Sequence, residues 1–364
     1  MLDTANIKFT TWRDYEEIIK ILNGRFKSRH ESVRDGIAVD LRKEIKNDWP
    51  WIHKIKVNNK GKYRGTEVLI DFSYPRFFNS SNTKLVNNER DYQKVNAKLF
   101  EFAKYITLDD ELQKDNLEFI RIDIAQQYEA NFEDHYNIFK FLQNLLTKYV
   151  GKGTKETKAF LEVNYGIKNQ DYTKGFRYKK SKYCLTVYNK TAQMNPEEYI
   201  PGLMSLLRIE QSFTPSMLGV KHLYFKDVDM NYFREKYKER ASQLVCDNLS
   251  KGLNETYEEL KEEVTQIVKN GKIREDLRFL DGSILDEKIV CNIIQHMSLD
   301  KSERMRYRYK AIAKETLRKK GEIWRSFVDN FDKLEELVFQ MCCKNIEIKL
   351  TERGIEVLKN SNQT

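Results

Sequence analysis

The chain has 364 residues, 40% of them hydrophobic and 12% aromatic, which is enough apolar material for packed cores and excludes a disordered chain. The 64 Lys and Arg residues exceed the 55 Asp and Glu residues, and the resulting charge of +9 favours a polyanionic partner, nucleic acid ahead of a membrane surface. Five cysteines without a CxxC pair argue against both a disulfide framework and a zinc site. Because the chain begins without a signal-peptide pattern and has no apolar run of membrane-spanning length, we expect a cytoplasmic protein with no membrane partner.

Hydrophobic periodicity predicts strands mixed with helices in the first two-thirds of the chain and helices in the last third. In the first part, strands are predicted at 7–11, 66–73, 117–125, 158–165, 182–189 and 204–213, and helices at 12–22, 89–105 and 133–150. The basic stretch 168–180 is predicted as a loop. From residue 230 on, helices are predicted at 232–249, 257–269, 286–297, 303–319 and 323–342, followed by a strand at 346–350 and a short helix at 352–359.

The length of the chain and this order of elements predict an α+β fold with two domains. The first domain, residues 1–228, would hold a mixed or antiparallel sheet with helices on one face, together with the catalytic residues. The second domain, residues 229–364, would be mainly α-helical and would bind DNA or serve an accessory role.

Four of the predicted strands turn chemically active side chains toward one sheet face, because successive side chains on a strand alternate between its two faces. The polar face is predicted to gather Asp71, Asp123, Tyr188, Lys190 and Glu210. The opposite, core-facing side of one of these strands is predicted to hold Ile120, Ile122 and Ile124. Carboxylates from separate strands can hold Mg²⁺ or Mn²⁺, and a tyrosine with a free pKa of about 10 becomes a nucleophile beside such an ion or beside a lysine. The alternative is a solvated polar face, which antiparallel sheets often have.

Three short motifs occur on these strands in a defined order. They are Arg121-Ile122-Asp123, Tyr188-Asn189-Lys190 and Arg208-Ile209-Glu210. Together with the start of the chain (residues 1–4) and the stretch 73–78 followed by Asn82, this arrangement resembles the filamentous-phage gene II replication initiators and the trans-acting rolling-circle plasmid initiators. The resemblance covers roughly residues 1–225, and the combination is more specific than any single motif.

The resemblance implies that Tyr188 is the nicking tyrosine, which becomes joined to the 5′ phosphate and leaves a 3′ hydroxyl for a polymerase. It also implies acidic active-site positions at Asp123 and Glu210 and a basic position at Lys190. We add Asp71 as a third metal candidate. The chain has no His-hydrophobic-His motif, and the resemblance to the plasmid initiators implies a site that holds Mg²⁺ or Mn²⁺ by carboxylates alone.

Three groups of basic residues are predicted to contact DNA. The first is the motif pair Arg121 and Arg208, for which pairing with carboxylates is as good an interpretation as contact with phosphate. The second is interleaved with aromatic residues, including Phe176 and Tyr178, and suits a single strand whose bases stack on the rings. Its members are Lys174, Arg177, Lys179, Lys180 and Lys182. The third suits the backbone of duplex DNA and comprises Arg304, Arg306, Arg308, Lys310, Lys314, Arg318, Lys319, Lys320 and Arg325. For the last two groups, a solvated loop and a solvated helix face are the alternatives.

The sequence therefore predicts a rolling-circle replication initiator, a metal-dependent DNA nickase and strand transferase that uses Tyr188. The expected partner is origin DNA, single-stranded at the nick and duplex around it, with a host helicase, a polymerase and a second copy of the chain left open. Three other functions also stay open. They are a conjugative relaxase with the same chemistry, a non-catalytic origin-binding regulator, and a nuclease that uses metal-activated water.

Overall fold

A computed structural model of the chain describes residues 1–27, 30–33, 36–43, 48–60, 65–79, 84–152, 175–180, 183–194, 203–297, 301–319 and 326–359. The fold is α+β, as the sequence predicts, with strands and helices mixed up to residue 213 and helices predominating after residue 230. The strands are β1 (Leu2–Thr11), β2 (His30–Val33), β3 (Gly36–Asp40), β4 (Ile52–Asn59), β5 (Thr66–Ser73), β6 (Glu118–Asn131), β7 (Gly175–Lys180), β8 (Tyr183–Asn189), β9 (Met204–Phe213), β10 (Ile346–Thr351) and β11 (Gly354–Lys359). The helices are α1 (Tyr15–Arg25), α2 (Tyr74–Phe78), α3 (Glu89–Thr107), α4 (Tyr136–Tyr149), α5 (Lys190–Met194), α6 (Met230–Ala241), α7 (Asp247–Asn270), α8 (Ile273–Phe279), α9 (Glu287–His296), α10 (Glu303–Arg318) and α11 (Phe331–Cys342).

Several predicted elements need correction. The predicted strands 66–73 and 204–213 are confirmed as β5 and β9. The prediction of a short helix at 352–359 is wrong, because residues Gly354–Lys359 form strand β11, which pairs with β10. The end of the predicted loop 168–180 is strand β7, and the sequence prediction has no counterpart of β2, β3 and β4. Strand β1 also begins earlier than predicted, and the predicted strand 158–165 lies outside the described residues.

The larger sheet has the strand order β2-β3-β4-β5-β1-β6-β9-β8-β7. From β2 to β6, each neighbouring pair is antiparallel. Strands β6 and β9, which carry two of the motifs, and β8, at whose end the third motif begins, are consecutive neighbours in this order. Strands β10 and β11 form a separate two-stranded sheet.

The chain forms two compact units, and several strands contribute to both. The first unit comprises Met1–Gln126, Lys180–Leu185 and Ile209–Tyr237. The second comprises Gln127–Lys179, Thr186–Arg208 and Lys238–Thr364. The division into domains 1–228 and 229–364 stays a prediction.

The core of the first unit is built on the apolar residues of β1. Ala5, Ile7 and Phe9 alternate with polar residues and pair with three buried apolar residues of β5. Helix α3 buries a stripe at helical spacing that includes Leu99 and Phe102. Burial of each large apolar side chain contributes about 1.5–3 kcal/mol, so this alternation fixes which face of the sheet is covered.

In the second unit, helix α4 joins the C-terminal helices. Its Phe141 ring lies 5.6 Å from the ring of Phe327, and Lys148 forms ion pairs of 2.8 Å with two glutamates of α7. His135, just before α4, is buried, and this burial lowers its pKa to about 4. Its Nδ1 lies 2.9 Å from the carbonyl oxygen of Asn131.

A substitution of Gly36, at the start of β3, tests how closely β3 and β4 approach each other. A Cβ added at this position would lie 1.8 Å from the carbonyl oxygen of Val57. We expect Gly36→Ala to lower the free energy of unfolding by roughly 1–3 kcal/mol, because the two strands must separate to admit the methyl group. Gly24→Ala is the matched control, since Gly24 lies in α1 with nothing within 4 Å of the added atom. It should stabilise by roughly 0.5–1 kcal/mol. Urea unfolding measures both variants, and equal stabilities would contradict this packing.

Candidate active site

One face of the sheet in the first unit is polar, and the strand register brings its residues together. Asn6 of β1 pairs with Asp71 of β5 on one side and with Arg121 of β6 on the other. Lys54 of β4 pairs with Asp71 in turn. Directly paired residues point to the same face with Cβ atoms about 4.5–5.5 Å apart. Asp71 and Arg121 therefore flank Asn6 on one polar face.

Asp123 is the most buried acid of this face, with 2% of its surface exposed. Its Oδ2 accepts a hydrogen bond of 2.6 Å from Nη2 of Arg121 and a second from Oγ1 of Thr4. Its Oδ1 is also buried and has no hydrogen-bond partner within the described ranges. A buried polar atom without a partner costs about 1–3 kcal/mol, so one oxygen of Asp123 is left with an unmet capacity to bind a ligand.

Arg121 is the counter-ion of the acids on this face. Burial alone would lower the pKa of its guanidinium, but the nearby carboxylates outweigh burial and raise it. Asp123 contributes most, followed by Asp71 and by Glu210 of β9. We refer to Asp71, Asp123 and Glu210 as the acidic cluster. The first unit thus brings together all three predicted metal ligands and one of the two motif arginines.

Asp71 carries a penalty for its charge. Its burial raises the pKa of the carboxyl group above the ordinary value. Arg121 opposes this shift, and Asp123 adds to it. The fold therefore disfavours ionised Asp71 in spite of the cations around it.

An irregularity in β6 shapes the same face. Pairing with β1 shifts between Arg121 and Phe119, so that Ile120 is an extra residue at a bulge. Phe119 is buried and Ile120 only half-buried. The prediction that Ile120 shares the core face of Ile122 and Ile124 is therefore wrong, because the bulge interrupts the alternation.

A second irregularity makes His53 an extra residue of β4, where pairing with β5 shifts. Burial, followed by repulsion from Arg76 and Arg42, lowers the pKa of His53 to about 4, so its ring is neutral at pH 7. Its Nε2 is buried and has no hydrogen-bond partner among the residues that the structure describes. The sequence analysis assigned no role to His53, Thr4 or Asn6, although the alternation of polar and apolar residues along β1 was a signal that could have found Thr4 and Asn6.

Tyr188 lies in the second unit, near the end of β8, and is 8% exposed. Lys190 is the first residue of α5 and not a strand residue, so the prediction that it shares a strand face with Tyr188 is wrong. Its Nζ nevertheless lies 6.0 Å from the centroid of the Tyr188 ring. The same Nζ donates a hydrogen bond of 2.8 Å to Oε1 of Gln193. A nearby cation favours the phenolate form of a tyrosine over the phenol.

Arg208 is fully buried in the second unit. Its Nε and Nη2 donate hydrogen bonds of 3.2 and 2.8 Å to Oε1 of Gln127. Its neighbours Leu207 and Ile209 are also buried, so β9 is covered on both faces at this point. The DNA contact predicted for Arg208 is therefore not available in this structure.

The basic and aromatic stretch before Tyr188 is partly core. Phe176 and Tyr178 of β7 are buried, with the ring of Phe176 5.6 Å from that of Phe139. The hydroxyl of Tyr178 donates a hydrogen bond of 2.9 Å to the carbonyl oxygen of Gly151. Base stacking on these two rings is therefore a wrong prediction. The cations of β7 are half-buried and comprise Arg177, Lys179 and Lys180. Outside the described residues lie Lys174 and Lys182.

The basic residues of α10 fall into two groups. Four are held by the protein, through Gln295, Glu287 and Glu315. These four are Arg306, Lys310, Arg318 and Lys319. The others are exposed, and their side chains make no hydrogen bond or ion pair in the described part of the chain. They are Arg304, Arg308 and Lys314, and with the 73% exposed Tyr307 they form what we refer to as the α10 face. Lys320 and Arg325 lie outside the described residues.

The acidic cluster matches Mg²⁺ or Mn²⁺ in its chemistry. Asp71, Asp123 and Glu210 offer the carboxylate oxygens that these hard ions prefer. Oδ1 of Asp123 and Oδ1 of Asn6 are buried without a hydrogen-bond partner among the described residues. In the described ranges, however, no three His, Cys, Asp or Glu side chains are already arranged to hold a metal ion. The donor atoms are thus of the kind that such an ion prefers, but they are not arranged around one point, and Nη2 of Arg121 binds one of the oxygens that the ion would use.

No protein-family model matches the chain, and no curated protein matches it. Within the described residues, no helix is both long and apolar enough to cross a membrane. The functional assignment therefore depends on the residues and their geometry.

Asp71→Asn tests the charge penalty at the acidic cluster. The raised pKa means that the penalty is absent well below the ordinary value of 3.8, grows as the pH rises from there to the folded-state value, and is complete above it. We therefore expect Asp71→Asn to raise the free energy of unfolding at pH 7, and this gain to shrink toward pH 4. Thermal unfolding across this pH range measures it.

Glu67→Gln on the same strand is the matched control. Burial would raise the pKa of Glu67, but hydrogen bonds from Asn58 and Lys60 outweigh burial and lower it. Its ionised form is thus stabilising above pH 4.5, and this contribution is lost as the pH falls through the folded-state value. Glu67→Gln should therefore lower stability at pH 7, and a change of the same sign in both variants would contradict the two assignments.

Proposed function

We propose that the protein initiates rolling-circle DNA replication by nicking one strand of an origin with Tyr188. One observation supports this proposal above the others. Strands β6 and β9, which carry two of the initiator-like motifs, and β8, at whose end the third motif begins, are consecutive neighbours in the sheet. The acidic cluster adds chemical support, because the attack on a phosphodiester requires neutralisation of the charge on its oxygens.

In the proposed reaction, the hydroxyl oxygen of Tyr188 attacks the phosphorus of the scissile phosphodiester. A phosphotyrosine ester forms with the 5′ end while the bond from phosphorus to the 3′ oxygen breaks. The tyrosine loses its proton and the departing 3′ oxygen gains one. A 3′ hydroxyl remains as a primer for a polymerase, and the ester keeps the strand available for rejoining.

Lys190 and the acidic cluster have separate roles in this proposal. Lys190, with its Nζ 6.0 Å from the Tyr188 ring, supplies positive charge that favours the phenolate. Asp71, Asp123 and Glu210 would hold Mg²⁺ or Mn²⁺, which when bound neutralises charge on the phosphoryl oxygens.

In this proposal, different basic surfaces contact duplex DNA and single-stranded DNA. The α10 face presents three cations and an exposed ring, and no carboxylate of the described residues is bound to these cations, which suits the backbone of duplex DNA. The half-buried cations of β7 are assigned to the single strand at the nick.

A non-catalytic, origin-binding regulator is the second candidate. The burial of Tyr188 favours it, because the hydroxyl group of a nucleophile must reach a phosphate and this side chain is 8% exposed. A regulator would use the α10 face in the same way, so DNA binding alone does not separate the two functions.

The decisive experiment looks for a covalent complex. The purified chain is incubated with single-stranded oligonucleotides that tile the DNA around its own gene, with and without Mn²⁺, and the products are resolved on a denaturing gel. We expect an adduct that requires Mn²⁺ and is lost in Tyr188→Phe, while Tyr183→Phe on the same strand keeps it. DNA affinity of Tyr188→Phe should stay within about twofold of the unaltered chain, since only one hydroxyl is removed.

Each other outcome points to a different function. Cleavage without an adduct indicates a nuclease that uses activated water. DNA binding with neither cleavage nor adduct gives the regulator the lead. An adduct that persists in Tyr188→Phe removes Tyr188 from the proposed role.

The α10 face gives a second prediction, on duplex DNA. We expect the double variant Arg304→Gln, Arg308→Gln to bind duplex DNA about tenfold more weakly and to lower the slope of log K against log salt by about 2, because two phosphate contacts are lost. Arg318→Gln with Lys319→Gln is the matched control, since it removes the same charge from the C-terminal end of the same helix, at residues already bound to glutamates. Fluorescence anisotropy at several salt concentrations measures both. An equal loss in the control would show that net charge, and not the α10 face, governs binding.

A further inference from the structure

The two carboxylate oxygens of Asp123 differ in their hydrogen bonding. Oδ2 is held by Arg121 and Thr4, whereas Oδ1 is buried without a hydrogen-bond partner in the part of the chain that the structure describes. Oδ1 of Asn6, which is paired in register with Arg121, is likewise buried without a partner there. Unsatisfied oxygens on one polar face form the beginning of a site for a hard cation.

Arg121 stands where such a cation would bind. Its Nη2 lies 2.6 Å from Oδ2 of Asp123, and a guanidinium and a divalent cation repel each other at this range. Half of the Arg121 side chain is exposed, while Asp123 is fixed by its burial in the strand. Arg121 can therefore leave Asp123 by rotating its side chain into solvent, without unpacking the core.

We infer that Arg121 and a divalent cation compete for Asp123, and that Arg121, once released, binds a phosphate of the DNA strand. The inference rests on the proposed function in one respect, because it takes the acidic cluster as the cation site. Without DNA the cation binds weakly, since it must displace Arg121. With DNA bound, a phosphate holds Arg121 and the cation binds more tightly. By thermodynamic linkage, the cation raises the affinity for DNA by the same factor.

Arg42 supplies the control for a general effect of charge. Its charge acts on Asp71, but its guanidinium is held by Asp40 through hydrogen bonds of 2.9 and 2.8 Å. Arg42→Gln therefore removes one positive charge without opening Asp123.

The first experiment uses Mn²⁺ alone as the probe, with the unbound ion followed by electron paramagnetic resonance. We expect Arg121→Gln in the full chain to bind Mn²⁺ about tenfold more tightly than the unaltered chain, within the range typical of coupled sites. Arg42→Gln should change the affinity by less than about twofold, because its effect acts only over a longer distance. Adding Asp123→Asn to Arg121→Gln should remove the gain.

A second measurement keeps Arg121 in place, in case its replacement disturbs folding. Mn²⁺ is titrated into Tyr188→Phe, which leaves DNA uncut, with and without a single-stranded oligonucleotide, and the oligonucleotide alone sets the baseline. We expect the oligonucleotide to tighten Mn²⁺ binding about fivefold, and to have no such effect in Tyr188→Phe combined with Arg121→Gln.

Equal Mn²⁺ affinities in Arg121→Gln and the unaltered chain would overturn the inference, as would the absence of Mn²⁺ binding in every variant. An oligonucleotide without effect on Mn²⁺ binding would also overturn it. The proposed nickase fails on a different observation, the missing Tyr188 adduct. If the chain forms the adduct but Arg121→Gln leaves the Mn²⁺ affinity unchanged, the protein is a nickase without this competition. If Arg121→Gln tightens Mn²⁺ binding but no adduct forms, the competition holds and the proposed nickase fails.

Discussion

Strand β1 pairs with β5 on one side and with β6 on the other, so its alternation is imposed on both neighbours. Ala5 and Ile7 turn to the core, and the register then leaves Thr4 and Asn6 on the opposite face with the residues paired to them. A shift of one residue would exchange the two sets at once, burying polar groups and exposing apolar ones. The burial energy that fixes the core therefore also decides which polar side chains meet on the other face.

The placement of these polar side chains on one face has an electrostatic cost. Asp71 is held with its ionised form disfavoured, and Asp123 is buried with only one of its oxygens satisfied. Replacing a buried ion pair by packed apolar residues is often neutral or stabilising, so an arrangement of this kind is weak evidence for a stabilising role. Carboxylates with perturbed pKa values or unsatisfied oxygens, gathered on one face, are more typical of a functional site than of a structural ion pair. In the proposed function, a bound cation would offset this electrostatic cost.

The sequence predicted the α+β fold and the strands with unbroken alternation, such as β5, where period-two patterning is a local property. It failed where an extra residue breaks the pattern, at Ile120 on β6, because periodicity does not register a bulge, and it did not predict strand β4, which contains His53. It also failed where tertiary packing decides. Arg208 is polar, yet β9 is covered on both faces there, and Phe176 and Tyr178 belong to a basic stretch but supply core rings. Burial of this kind depends on which elements pack together, which local pattern does not encode.

Among the described residues, each compact unit contains a histidine that burial keeps neutral at pH 7, the half-buried His53 in the first unit and the buried His135 in the second. The unfolded chain takes up protons at these residues near pH 6.5, whereas the folded chain resists them down to a pKa of about 4. Both therefore contribute stability that is complete above pH 6.5 and is lost as the pH falls toward 4, at roughly 1.4 kcal/mol per pH unit for each histidine. Two rings on separate parts of the chain thus make both units less stable as the pH falls below 6.5.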